Sequence, residues 1–146
     1  MLRGNLPAKI DEKGRIKIPA DFRKFIDEKY GPDLYVTSLN GSNVLIYPLS
    51  EWEEIEAKLM APPKMKPEKV KFLRNTNYYG QLTQMDKQGR VLIQPHLRAA
   101  AGMQGEVAVM GNLNYLEVWN NERFAKLLQT DPYTDKDAET LSGFGI

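Results

Sequence analysis

Apolar residues along the chain change period at definite points, and each change predicts an element. Ile16 and Ile18 alternate with Arg15 and Lys17, the period of a strand. After Pro19 the spacing becomes helical, with Phe22, Phe25, Ile26 and Tyr30 on one stripe until Gly31-Pro32 stops it. A strand ending at Ile10 and the turn-forming Asp11 to Gly14 precede this pair, so the opening predicts a hairpin followed by a helix. Leu34 to Leu39 and Val44 to Tyr47 predict a second hairpin across Asn40-Gly41. Ser50 followed by Glu53 reads as a capping box for a helix whose Trp52, Ile55 and Leu59 share a face. Its remaining surface carries four Glu against Lys58, the composition of a solvated face or of a packing surface for another subunit.

The pattern then returns. Asp11 to Arg23 reappears 75 residues later as Asp86 to Arg98, with Asp, Gly, Arg, Ile and Arg identical at five of 13 positions. Chance would give about one identity. Gly4-Asn5-Leu6 is answered by Gly80-Gln81-Leu82, and Ile46-Tyr47-Pro48 by Val118-Trp119-Asn120. The second copy therefore predicts a strand at Tyr78 to Met85, a turn at Asp86 to Gly89, a strand to Ile93 and a helix from Pro95 stopped by Gly102. Strands near Val107 to Met110 and Tyr115 to Trp119 and a helix over Glu122 to Gln129 complete it. Each copy is β-β-α-β-β-α, giving a first repeat at 1–60, a basic connector and helix at 61–76, a second repeat at 77–129 and a tail at 130–146. Pro132, Gly143 and Gly145 predict loose order in that tail.

Composition narrows the chemistry. With no Cys and a single His, the chain has no thiolate nucleophile, disulfide or His-rich zinc site, and no metal or cofactor is expected. Its apolar runs are too short to span a bilayer, and the opening Met1-Leu2-Arg3-Gly4-Asn5 lacks the apolar core of a signal peptide, so a cytoplasmic location is expected. Neither a Gly-rich phosphate loop nor a G-x-S-x-G motif occurs, and no small-molecule substrate is implied. Net charge is only +1, so a nucleic-acid footprint must come from local arrangement. One basic run, Lys64, Lys66, Lys69, Lys71 and Arg74 against Glu68, reads as a solvated linker and helix face or as a direct contact.

The repeated turns are the sharper signal. In Asp-x-x-Gly-Arg, the Asp accepts hydrogen bonds from turn amides, the Gly takes the positive φ of a tight turn, and the Arg emerges past the apex. The candidate loop-orienting residues are thus Asp11, Gly14, Asp86 and Gly89, and the candidate DNA-binding residues are Arg15 and Arg90, joined by Lys13, Lys17 and Lys87 and, from the first strand, Arg3. An Arg steered by its Asp suits a phosphate or the O6/N7 edge of guanine. The bland alternative is a weak surface ion pair closing each turn. Arg23 and Arg98, one turn into their helices, are expected to make structural ion pairs, and His96 to cap or lie exposed. Tyr78, Tyr79 and Trp119 read as sheet and core aromatics.

The paired Asp-x-x-Gly-Arg turns, each followed by an Ile-containing strand and a Pro-led helix ending in a hydrophobe and Arg, resemble the MraZ family within the SpoVT/AbrB-like swapped-hairpin superfamily. The likeness runs from Arg3-Gly4 through Leu45 to Trp52 and on to Glu117-Val118-Trp119. It implies an α+β fold in which the two copies combine, as a pseudo-dimer, into one double-psi-type barrel with flanking helices. It further implies a nucleoid-associated transcriptional regulator whose partners are double-stranded promoter DNA and further copies of itself in a ring. Such regulators act on repeated promoter boxes of the division and cell-wall gene cluster, their own promoter included. Two alternatives stand beside it: a regulator that sequesters a protein partner without touching DNA, and a general DNA-coating protein. Related barrels also host pyruvoyl enzymes formed by cleavage at Gly-Ser, but Asn40-Gly41-Ser42-Asn43 is explained by its hairpin.

Overall fold

The computed structural model describes residues 1–146. Its elements are β1 (Leu2–Lys9), β2 (Arg15–Lys17), α1 (Ala20–Lys29), β3 (Asp33–Thr37), β4 (Val44–Pro48), α2 (Leu49–Met60), α3 (Pro67–Tyr78), β5 (Gln81–Gln84), β6 (Arg90–Leu92), α4 (Pro95–Ala101), β7 (Glu106–Leu113), β8 (Leu116–Asn120), α5 (Asn121–Thr130) and α6 (Asp135–Ser142). The fold is mixed α+β, with six helices around antiparallel sheet. No helix is long and apolar enough to cross a membrane.

Strand pairing departs from the predicted hairpins. β1 meets β2 only through an Ile10↔Ile16 bridge; its ladder partner is β7, from Leu2↔Leu113 to Lys9↔Glu106. In the second copy β5 pairs with β3, and β2 pairs with β6. The first strand of each copy is therefore seated in the other copy. Hydrogen-bond accounting explains the choice, because a three-residue β2 satisfies few of the backbone groups of an eight-residue β1, whereas β7 matches it residue for residue. The β3–β4 hairpin forms as expected, with Thr37↔Leu45 its last pair before a loop in which Gly41 donates its amide to Ser38 Oγ and Ser42 donates its amide to Asn40 Oδ1.

The strands make one six-stranded sheet, β1-β7-β8-β4-β3-β5, and a separate ribbon, β2-β6. The expected closed barrel is not what forms, since β1 and β5 are the two edges of the sheet. At the corners where a ladder would continue, backbone groups are used inside the turns, Asp11 and Gly14 bonding to Arg15 and Asp11, and Asp86 and Gly89 likewise to Arg90 and Asp86.

Alternation along the strands sorts side chains between two layers. Leu34, Val36, Val44, Ile46, Val107, Val109, Leu116 and Val118 face the main core, where they meet Ile16, Ile18, Val91 and Ile93 of the ribbon and Phe22, Ile26 and Leu97 of α1 and α4. On the opposite face an aromatic stack fastens α2 and α3 to the sheet. Trp52 stacks on Tyr35 with centroids 4.8 Å apart, and Phe72 stacks on Trp52 at 5.9 Å.

Three further expectations are corrected. α2 starts at Leu49 after Pro48, with no side-chain cap, because Pro48 already supplies the helix-entry geometry and Ser50 falls inside the first turn. Tyr78 ends α3 instead of starting a strand, since the basic segment continues as helix until Gly80, where a side chain would collide with the Tyr35 hydroxyl and the Thr76 carbonyl. The tail forms α6, whose N-terminus carries a complete capping box in which Thr134 Oγ1 accepts from the Asp137 amide and Asp137 accepts from the Thr134 amide. On the acidic helix α2, Glu53, Glu54 and Glu56 are exposed, as a solvated face requires, whereas Glu51 is half-buried and accepts from the Tyr30 hydroxyl at 3.1 Å and from Asn114 Nδ2 at 2.6 Å.

Candidate nucleic-acid interface

Each repeated turn is built around its aspartate. Asp11 Oδ1 accepts the amides of Lys13 (3.0 Å) and Arg15 (2.9 Å), and its Oδ2 accepts Arg15 Nε at 2.9 Å. The second turn repeats this, Asp86 accepting the amides of Gln88 (2.9 Å) and Arg90 (2.8 Å) and Arg90 Nε at 3.0 Å. Gly14 and Gly89 sit at φ +82° and +77°, the left-handed conformation that closes a turn this tight. The Arg15 amide, and next to it the Arg15 guanidinium, holds the Asp11 carboxyl below the usual carboxylate range; Arg90 does the same for Asp86. Both carboxylates stay ionised and keep their arginines steered. Only Nε of each arginine is engaged by its Asp, and the terminal nitrogens make no hydrogen bond within the chain, which leaves them for a planar bidentate partner.

The β2–β6 ribbon places the two turns. Its register is Arg15↔Leu92, Ile16↔Val91 and Lys17↔Arg90, flanked by bonds from the Ile18 amide to Gly89 O and from the Ile93 amide to Gly14 O. Ile16 and Val91 point into the core and are fully buried, so Arg15, Lys17, Arg90 and Leu92 share the outer face. The turns lie at opposite ends of the ribbon, four residue steps or about 13 Å apart, and Arg15 and Arg90 are diagonal neighbours about 7–8 Å apart. That footprint matches the roughly 12 Å width of a DNA major groove, which admits a two-stranded ribbon. Lys17 faces Arg90 directly, a like-charge pair that costs the ribbon stability. In the pseudo-symmetric place Leu92 faces Arg15 and is 41% exposed.

Lys13 and Lys87 are exposed on the turns beside these arginines, so five of the six candidate cations converge. Arg3 does not join them. It lies opposite Asn112 near the far end of β1, eight residues or about 26 Å of strand from Asp11. His96 neither caps α4 nor stands free: its Nε2 is 2.8 Å from the Tyr78 carbonyl that ends α3. Trp119 donates Nε1 to Glu117 and packs on Phe124, while Tyr78 is 65% exposed at the end of α3.

The expected ion pairs of Arg23 and Arg98 are half right. Arg23 reaches Asp27 at 3.5 Å, but it also donates Nη2 to the Lys87 carbonyl and lies against Gly89. Arg98 makes no ion pair; it donates Nε to the Ile93 carbonyl at 2.9 Å and rests its guanidinium against Gly14. Amphipathic position accounts for neither, and the only trace in the sequence is that both arginines and both glycines recur together.

The family model described as "MraZ protein, putative antitoxin-like" matches residues 1–75 and 80–143. The chain belongs to the MraZ family. It is 49% identical to the transcriptional regulator MraZ of Acidobacterium capsulatum over 146 residues and 50% identical to that of Koribacter versatilis over 147, covering the whole of each chain. Likeness to the MraZ of Pediococcus pentosaceus is 34% over 147 residues, again end to end. Both Asp-x-x-Gly-Arg turns fall within the segments matched by the MraZ model.

Proposed function

We propose that the protein is a sequence-specific DNA-binding transcriptional regulator that presents the outer face of its β2–β6 ribbon to double-stranded DNA. The observation that carries this reading is the mounting of Arg15 and Arg90, each steered by an ionised Asp, with their turns at the two ends of a ribbon about as long as the major groove is wide. Lys13, Lys17 and Lys87 supply phosphate contacts around them. The Lys17/Arg90 opposition supports the same reading, because a repulsive pair on an exposed ribbon is relieved by an anion. Within one subunit Arg3 stays outside this contact. The relatives' name, transcriptional regulator MraZ, supports a role in transcription.

The strand exchange between copies is compatible with a swapped-hairpin, double-psi-like ancestry, in which each copy supplies one turn. One subunit offers only two small turns, so a ring of subunits on successive promoter boxes would raise affinity through effective concentration. We assign it to the cytoplasm and nucleoid, acting on its own promoter and the division and cell-wall cluster behind it.

Fluorescence anisotropy with DNA from upstream of its gene and a scrambled duplex, at two salt concentrations, tests this. Wild type should prefer the native duplex, and Arg15→Ala/Arg90→Ala should abolish the preference. Loss of phosphate contacts would flatten the salt slope by about 0.9 per contact, whereas loss of guanine readout would cost about 1–3 kcal/mol at single base positions. Equal binding to both duplexes would make it a general DNA-coating protein, and undiminished binding by the double variant would remove the turns from the interface.

A further inference from the structure

We infer that Arg23 and Arg98 are positioning residues for the DNA-contacting turns, each holding the turn of the opposite repeat copy; the functional half of this inference rests on the reading of those turns given above. The contacts are reciprocal. Arg23, on α1 of the first copy, donates to the carbonyl of Lys87 inside the second turn, and its stem fills the space under Gly89. Arg98, on α4 of the second copy, lays its guanidinium under Gly14 of the first turn. Its Nε donates to the Ile93 carbonyl, and the Ile93 amide in turn donates to the Gly14 carbonyl, so arginine, strand end and turn close into one loop of contacts.

Such support is needed. A ribbon of three residue pairs is marginal by itself, and the aspartates fix each arginine only relative to its own turn. Arg23 and Arg98 fix the turns relative to the folded body, which sets the spacing between Arg15 and Arg90 before any ligand arrives and lowers the ordering cost of binding. The space each occupies is the space a side chain at Gly14 or Gly89 would fill, so the glycines serve the clamp as well as the turn.

The test uses the full-length protein with Arg98→Gln and Arg23→Gln, and with Arg98→Lys and Arg23→Lys as milder variants that keep stem and charge. Solvent exchange of backbone amides, followed by NMR without DNA, should rise about five- to tenfold at Gly14 and Arg15 in the Arg98 variants while Gly89 and Arg90 keep wild-type rates, with the mirror pattern for Arg23. In anisotropy, Arg98→Gln should weaken DNA binding in wild type and in Arg90→Ala but add nothing to Arg15→Ala, whose turn is already disarmed. If exchange is crossed but Arg15→Ala/Arg90→Ala binds DNA normally, the clamp stands and the DNA reading falls. Equal loosening of both turns in either variant, or loosening of the turn in the same copy, overturns the inference.

Discussion

Asp11 and Asp86 each hold an arginine and two turn amides, and that small set of bonds makes definite predictions. Both carboxyls titrate below their unfolded value of about 3.9, so the ordering they provide is complete above that pH and is lost as pH falls through the lower folded value. Carboxyl carbon shifts of Asp11 and Asp86 should therefore stay constant from pH 8 to 5 and move only below about 4; a midpoint at or above 4 would show that the arginines do not grip them. Gly14→Ala combines backbone strain with eviction of Arg98, whereas Gly31→Ala, also at positive φ, meets open space. Urea denaturation should show Gly14→Ala losing about 1–3 kcal/mol and more than Gly31→Ala. Asp, Gly and Arg were legible as a turn because their chemistry is local. Arg23 and Arg98 were not, since the turns they brace lie 64 to 84 residues away along the chain.

Among the elements, the ribbon is the one in which stability and the proposed function pull apart. Replacing Lys17 by Ile removes the repulsion across from Arg90 and restores a β-branched residue to β2. Thermal melts should show Lys17→Ile stabilised by about 0.2–1 kcal/mol, while its salt slope for DNA falls by about 0.9, one phosphate contact. On the other face of the sheet Trp52 is buried between Tyr35 and Phe72, so it joins α2, α3 and β3. Trp52→Ala should cost about 3–5 kcal/mol by denaturant titration and release both helices together. Helical periodicity located α1 and α2 from sequence and the repeat carried them over to α4 and α5, but α6 was missed because its cap, Thr134 to Asp137, lies among Pro and Gly residues that argue for disorder.

At the scale of the whole molecule, the copies are not independent bodies. β1 and β5 find their ladders in the opposite copy, and β2 and β6 find each other. Residues 1–60 alone should therefore be unfolded when dilute and gain sheet only as a second copy takes the missing role, seen as circular dichroism that depends on concentration; a dilute folded monomer would contradict this exchange of strands. The sequence by itself determined the elements, their duplication and the chemistry of the turns, since periodicity, capping and turn formation are properties of a few neighbouring residues. Only the tertiary structure decided which strand pairs with which, that the sheet stays open, and that each turn is braced from the other copy. Alternating Leu, Val and Ile in either copy suit several partners, and the choice among them follows from matching strand lengths and from satisfying every backbone group, which are settled only when the whole chain is folded.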